Sequence, residues 1–156
     1  MMLMKISTRF SDSIHILAFI DIYQGKIPLT SDNIASSVET SPVVVRRLMS
    51  QLRKAGLIQT VHGAAEPKLA KEPADISLYD VFLAVEHDQH LFTVDDKTNP
   101  QCIVGGNIQD TLRLYYEQVE LATKAKLAKV SLADIIDSII VKEAQKNAKK
   151  EEDHHD

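Results

Sequence analysis

Two adjacent arginines, Arg46 and Arg47, stand among mostly aliphatic residues. A guanidinium group can donate two parallel hydrogen bonds to O6 and N7 of guanine. Val43, a few residues earlier, can contact a thymine methyl group. Thr40 and Ser41 lie where the first turn of a helix would meet a phosphate, because its N–H groups favour an anion. This pattern predicts a segment that reads the major groove of DNA.

One amphipathic helix would hold these side chains in place. Ser41 is a good N-cap, Pro42 suits the first helical position, and Gly56 suits the residue after the helix end. Four apolar residues recur at helical spacing and predict its buried stripe: Val45, Leu48, Met49 and Leu52. With that stripe facing inward, the opposite face carries the candidate DNA contacts: Pro42, Val43, Arg46, Arg47, Ser50 and Lys54.

The residues before this helix predict a helix-turn-helix. Apolar residues at helical spacing indicate a helix over 7–24, and Thr30 is a good N-cap for a short helix that ends near Val38. The tight turn Glu39–Pro42 joins the short helix to the helix of candidate contacts. This order of three helices with a short last turn is typical of DNA-binding proteins.

A β-hairpin is predicted after Gly56. Residues 57–61 form a short strand, 62–68 a turn, and 69–71 return as a second strand. A helix-turn-helix with such a hairpin is a winged helix, and His62 and Lys68 on the wing could touch phosphates. We expect 1–85 to be this DNA-binding domain, mainly α with a small β-hairpin.

The charge distribution agrees with a polyanion partner. The net charge of the 156 residues is −4, yet residues 1–71 carry +4 and residues 72–156 carry −8. Between 41 and 71, six basic residues accompany a single acid, Glu66. Such a basic window can bind nucleic acid, although it can also be a solvated face that keeps the protein soluble.

The overall composition excludes several classes of protein. With 44% hydrophobic and 26% charged residues, the chain is not wholly disordered. No stretch approaches the roughly 18 apolar residues of a membrane span, and the start lacks the basic region of a secretory signal. We therefore expect a soluble, cytoplasmic protein. A single cysteine, Cys102, excludes an internal disulfide framework and a four-cysteine metal site.

The second half is predicted to contain a polar loop and further helices. A capping box at Ser77 starts a short helix over 78–85, and residues 86–106 form a polar loop. A long helix over 107–128 carries two apolar stripes, of which one can cover the chain's own core and the other needs a partner. The first stripe is Ile108, Leu112, Tyr115, Val119 and Ala122; the second is Leu114, Leu121, Ala125 and Ala128. Ser131 caps a last helix to about 141, and 142–156 is predicted to be a disordered tail.

Taken together, these segments resemble the Rrf2 family of bacterial transcription regulators. The resemblance covers about residues 4–140 in the family's order. It is carried by Lys5–Phe10, Ile34-Ala35, Ser41-Pro42, Leu52–Leu57, Leu69–Pro73, Asp75–Leu78 with Val81 and Ala84-Val85, and Val130–Asp134.

The resemblance implies a homodimer that binds an inverted-repeat operator, more often as a repressor. The helices over 107–141 would join the subunits, and the first stripe, Ile108 to Ala122, is the predicted dimer contact. Two recognition helices would read half-sites about one helical turn apart, or a multiple of it.

This chain departs from the family at the wing. The usual Arg-Gly-x-Gly-Gly tip is replaced by the segment from His62 to Lys68, which has lost glycines and gained Glu66. The tip is therefore expected to be stiffer and less basic, which puts reading of the minor groove in doubt.

The second departure concerns the cluster loop. Cluster-binding relatives place three cysteines in the segment that corresponds to 86–106, whereas here only Cys102 is present, with His87 and His90 as other donors. Because a [2Fe–2S] cluster takes four mainly thiolate ligands, we expect none, as in the family's cluster-free, YwnA-like members. Cys102 is a candidate redox sensor or simply a small half-buried residue, and a zinc site with the two histidines is a weaker alternative.

Two other functions remain open at this point. A winged-helix scaffold that no longer reads DNA could bind a protein, which the altered wing and the acidic second half favour. An enzyme is not expected, because the sequence has no nucleophile–base pair, glycine-rich phosphate loop or His/carboxylate metal set. A small-molecule or redox effector is possible, but no residue identifies it.

Overall fold

The computed structural model describes residues 7–60, 66–88 and 90–155. In these residues the protein is mainly α-helical with one two-stranded antiparallel hairpin, as the sequence predicts. The elements are α1 (Thr8–Tyr23), α2 (Ser31–Val38), α3 (Pro42–Lys54), β1 (Ile58–Thr60), β2 (Pro67–Leu69), a 3₁₀ turn (Pro73–Asp75), α4 (Leu78–Val85), α5 (Ile108–Lys129) and α6 (Leu132–Asp153).

The first three helices pack around one apolar core. α1 contributes Ile16, Leu17 and Ile20, all without solvent exposure, and α2 contributes Ile34. The four predicted apolar residues of α3 are buried against them. Full burial of such a side chain contributes about 1.5–3 kcal/mol each, so this core fixes the orientation of α3.

The wing hairpin differs from the prediction in the bounds of its second strand. β2 spans Pro67–Leu69 rather than 69–71, and Ile58 pairs with Leu69 while Thr60 pairs with Pro67. A further bond, from the Ala70 N–H to the Leu57 carbonyl at 2.9 Å, continues the pairing. The register is set by the burial of Pro67. The residues next to Pro67 in the sequence are polar, so this burial could not be predicted from the local pattern.

The start of α6 is joined to the start of α4. The Leu78 N–H donates to the Val130 carbonyl at 2.9 Å, and the Leu132 N–H donates to the Ile76 carbonyl at 2.7 Å. Each helix begins with a complete capping box, at Ser77 and at Ser131. Leu132 and Ile136 are buried in the same core as α1, so the first turns of α6 belong to that core.

The expected disordered tail from 142 is wrong in the structure, where α6 continues to Asp153. Its composition explains the difference, since ten of the twelve residues 142–153 are lysine, glutamate, alanine or glutamine, which all have high helix propensity. All its described side chains from 139 onward are exposed, so propensity rather than burial maintains this part of the helix.

No helix in the described ranges is long and apolar enough to cross a membrane.

Candidate nucleic-acid interface

Side-chain caps begin both α2 and α3, and backbone contacts fix the turn between them. The Thr30 hydroxyl accepts the Asn33 N–H at 3.1 Å, and the Ser41 hydroxyl accepts the Val44 N–H at 3.3 Å. Glu39 ends α2 in the left-handed conformation, with φ of 60°, and the half-buried Thr40 donates its N–H to the Ala35 carbonyl. These contacts set the angle at which α3 leaves the core.

The predicted orientation of α3 is confirmed. The aliphatic side faces the core, while Arg46, Arg47 and Lys54 are exposed and Val43 is 56% exposed. Pro42 and Ser50 are half-buried beside them, and Ser41 is exposed. Neither arginine takes part in an ion pair within the described ranges, so both guanidinium groups are available for a ligand.

The two arginines differ in direction. At 100° per residue, Arg47 lies almost opposite Val45 and Leu52 in the centre of the exposed face, together with Val43 and Lys54. Arg46 lies on the flank of α3, on the side of the hairpin. The side chains that could enter a groove are therefore divided between a central and a lateral set.

The wing carries one predicted contact and one acid with a structural role. Lys68 is exposed on β2 opposite Gln59, whereas the predicted contact His62 lies outside the described residues. The Glu66 carboxylate accepts the Leu29 backbone N–H at 3.2 Å. This acid therefore fastens the hairpin to the segment between α1 and α2.

Sequence reasoning missed Arg53 as a member of this surface. Its Nε donates to the Thr60 hydroxyl of β1 at 3.1 Å, which ties the end of α3 to the wing. Arg53 follows Arg46 by seven residues, two helical turns, so the spacing alone could have placed both on one flank. Both line a cleft of about 340 Å³ between α2, α3 and the hairpin.

The candidate ligands of the 86–106 loop have separate partners. The ring of His87 lies 3.3 Å from the Gln51 side-chain amide, and that of His90 lies 3.4 Å from the Glu120 carboxylate. Cys102 is exposed. Within the described ranges, no three His, Cys, Asp or Glu residues come together as a metal site, and a single thiol does not fit the donor set of a [2Fe–2S] cluster.

The pKa of the Cys102 thiol is lowered by the backbone N–H groups of Gly105 and Val104. These groups stabilise the thiolate without a basic side chain. The prediction that Cys102 senses oxidants stays a prediction.

Glu120 fastens this loop to α5. Its carboxylate accepts the Leu91 and Phe92 N–H groups at 2.9 and 3.3 Å. Burial acts to raise the pKa of Glu120, but these two N–H groups and His90 outweigh it, so its pKa lies below the ordinary value. A charged side chain on a mostly exposed helix therefore holds the loop in place.

The inward face of α5 lies between the two apolar stripes and shares Leu112 with the first. That face contains Leu112, Tyr116, Glu120 and Leu127, so the prediction that a whole stripe covers the core is wrong. In the first stripe, Ile108 and Leu112 are half-buried, Ala122 is exposed, and Tyr115 and Val119 are 58% and 47% exposed. In the second stripe, Leu114 and Leu121 are exposed.

Comparisons with known proteins agree with this geometry. The chain is 40% identical over 134 residues to YwnA of Bacillus subtilis (strain 168), which is named as an HTH-type transcriptional regulator, and the match covers 86% of this chain and 98% of YwnA. A crystal structure described as that of a DNA-binding protein is 40% identical with a TM-score of 0.65, over 82% of this chain and 98% of the other.

A more distant structure supports the fold alone. CymR (YrzC), the global cysteine regulator of B. subtilis, is 24% identical with a TM-score of 0.64, over 86% of this chain and 98% of the other. The winged helix-turn-helix that the sequence predicts is confirmed.

A family model described as an iron-dependent transcriptional regulator, Rrf2, matches residues 6–138. With the winged helix, the exposed cationic face of α3 and the identity to YwnA, this match shows that the chain belongs to the Rrf2 family of bacterial helix-turn-helix transcription regulators.

Proposed function

We propose that this protein is a sequence-specific transcriptional repressor that binds an inverted-repeat operator as a homodimer. The observation that carries the proposal is the exposed face of α3, where Val43, Arg47 and Lys54 project from a helix that its buried stripe holds rigidly. A helix of this kind fits the major groove, and its arginine can identify guanine.

The dimer is supported by the uncovered surface of α5. Tyr115 and Val119 of the first stripe leave much of their apolar surface in solvent. A twofold-related copy of α5 would bury the same residues on both chains, since such an interface uses one patch twice. Two copies of α3 would then face half-sites separated by about 34 Å or a multiple of it.

We further propose that the regulator works without an iron–sulfur cluster. The support is the donor set of the 86–106 loop, where Cys102 is the single thiol and both histidines have other partners. The proposed target is bacterial DNA, which places the activity in the cytoplasm, and no catalytic step is proposed.

Selection of bound fragments from the source genome, followed by binding titrations at several salt concentrations, tests the proposal. Each neutralised phosphate contributes about −0.9 to the log–log slope, so affinity should fall steeply with salt. Lys68→Ala should weaken binding to all fragments alike, because a phosphate contact carries no sequence information. A flat salt dependence, or retention of a protein partner without DNA at low salt, would favour the protein-interaction alternative.

A further inference from the structure

The cleft beside α3 has the chemistry of an anion site. It lies between the start of α2, the flank of α3 and the hairpin, and two arginines line it, Arg46 and Arg53. The other lining residues are three that carry hydroxyl groups and three apolar ones: Thr30, Ser31 and Thr60, with Leu29, Met49 and Pro67. Cations and hydroxyl groups around a cleft of about 340 Å³ match the oxygens of a phosphate.

Arg53 is oriented for such a ligand. Its Nε donates to the Thr60 hydroxyl at 3.1 Å, and in the part of the chain that the structure describes its terminal nitrogens have no other side-chain or ion-pair partner. A bond at Nε fixes the plane of the guanidinium group while it leaves the two terminal nitrogens to donate. Arg53 is therefore pre-organised, which lowers the entropic cost of binding.

The acids nearby do not occupy the cleft. The Glu66 carboxylate, which follows the hairpin turn, accepts the Leu29 N–H instead of pairing with an arginine. Asp32 lies in the first turn of α2 but does not line the cleft. The free N–H groups at the start of α2 add partial positive charge to this side of the cleft.

We infer that this cleft binds a backbone phosphate of the DNA duplex, with Arg53 and Arg46 as its cationic ligands. The inference rests on the proposed function and divides the arginines of α3 by role. Arg47, in the centre of the exposed face, contacts base edges, whereas Arg46 and Arg53, on the flank between α3 and the wing, hold the strand that passes from the major to the minor groove. The two lateral arginines thus set register and affinity rather than sequence preference.

The test compares Arg53→Gln, Arg46→Gln and Arg47→Gln with the wild-type dimer on one operator and on scrambled DNA. Because each substitution is present in both subunits, Arg53→Gln and Arg46→Gln should each reduce the magnitude of the salt slope by about 1.8, about 0.9 per half-site, so that raising salt from 50 to 200 mM costs about 12-fold less affinity than in the wild type. The ratio of operator to scrambled affinity should stay unchanged for both. Lys149→Gln on the exposed end of α6 is the matched control for the loss of one positive charge, and it should bind like the wild type.

A second variant separates the orientation of Arg53 from its charge. Thr60→Val removes the hydroxyl that orients Arg53 but keeps its charge, so it should weaken binding less than Arg53→Gln. Replacement of single phosphates by uncharged methylphosphonates should then reveal one position per half-site that matters for the wild type and no longer matters for Arg53→Gln.

The outcomes are distinguishable. If the wild type binds operator with a steep salt slope but Arg53→Gln keeps that slope, or loses sequence preference instead, the phosphate assignment is overturned while the proposed function stands. If the wild type does not bind DNA, the proposed function fails and the inference fails with it. Saturable binding of inorganic phosphate at fixed ionic strength, abolished by Arg53→Gln without any change in the DNA slope, would assign the cleft to a free anion and overturn the inference.

Discussion

Single residues on the surface formed by α3 and the wing have roles that their charge does not reveal. Glu66 is an acid in the basic window, yet its carboxylate accepts a backbone N–H from Leu29 and so holds the wing against the helical core. Its negative charge repels the phosphates of DNA, whereas its carboxylate oxygen stabilises the fold. The two effects can be separated, because the amide of glutamine keeps the oxygen without the charge.

We expect Glu66→Gln to bind DNA more tightly than the wild type, with stability within about 0.5 kcal/mol of it. Glu66→Ala should lose about 1 kcal/mol, since it leaves the Leu29 N–H without its acceptor. Urea denaturation and a DNA titration on both variants measure these differences. Equal destabilisation by the two substitutions, or weaker DNA binding by Glu66→Gln, would show that the role assigned to this acid is wrong.

Glu120 makes stability depend on pH. Because its pKa is lowered in the folded protein, its ionised form stabilises the fold at pH values above the ordinary glutamate pKa of about 4.3, and this contribution is lost as the pH falls through the lower folded pKa. Glu120→Gln should therefore be less stable than the wild type at pH 7, by about 1–2 kcal/mol for the loss of hydrogen bonds to a charged acceptor.

The difference in unfolding free energy between wild type and Glu120→Gln should shrink in acid. Denaturant titrations at pH 7 and at successively lower pH measure it, with Glu117→Gln, an exposed change one turn earlier on α5, as the control. A difference that stays constant or grows as the pH falls would contradict the proposed role of the carboxylate.

At the scale of elements, α3 could be predicted almost completely, whereas for α6 only the start was predicted. The caps, the proline and the four apolar residues of α3 are local signals, and burial of that stripe then decides which side faces outward. The bond between Arg53 and Thr60 and the register of β2 depend on contacts across the hairpin, which no local pattern encodes. The inward face of α5 was also hidden, because a glutamate rather than an aliphatic residue anchors it.

The end of α6 allows a direct test of this difference. A chain that lacks residues 144–156 should lose the far-ultraviolet circular dichroism of the ten helical residues from 144 to 153. Its melting temperature should change little, since the described side chains of that segment are exposed and bury no apolar surface in the subunit. Unchanged ellipticity would mean that the tail is disordered, as first expected.

The whole molecule is proposed to be a dimer of two copies of this chain. Each subunit of 17.4 kDa leaves Tyr115 and Val119 largely exposed, and a twofold partner would cover them. We expect sedimentation equilibrium to give twice the subunit mass and Val119→Asp to give the mass of one subunit with unchanged helical content, because a buried unpaired carboxylate strongly disfavours the interface.

Lys149→Asp, on the exposed end of α6, is the matched control and should remain dimeric. The monomeric variant should also bind an inverted repeat much more weakly. In the dimer, binding of one recognition helix gives the other a high effective concentration at its own half-site. A monomeric wild type, or a Val119→Asp variant that stays dimeric, would show that α5 does not form the dimer interface.

The most direct measurement is the ratio of operator to scrambled-DNA affinity for the wild type and for Arg47→Ala at one fixed salt concentration. We expect the wild type to prefer its operator and Arg47→Ala to lose about 1–3 kcal/mol of this preference per half-site, the value of one bidentate contact to guanine, while binding to scrambled DNA changes far less. A wild type with no preference, or an Arg47→Ala variant that keeps the full ratio, would contradict the claim that the exposed face of α3 reads sequence.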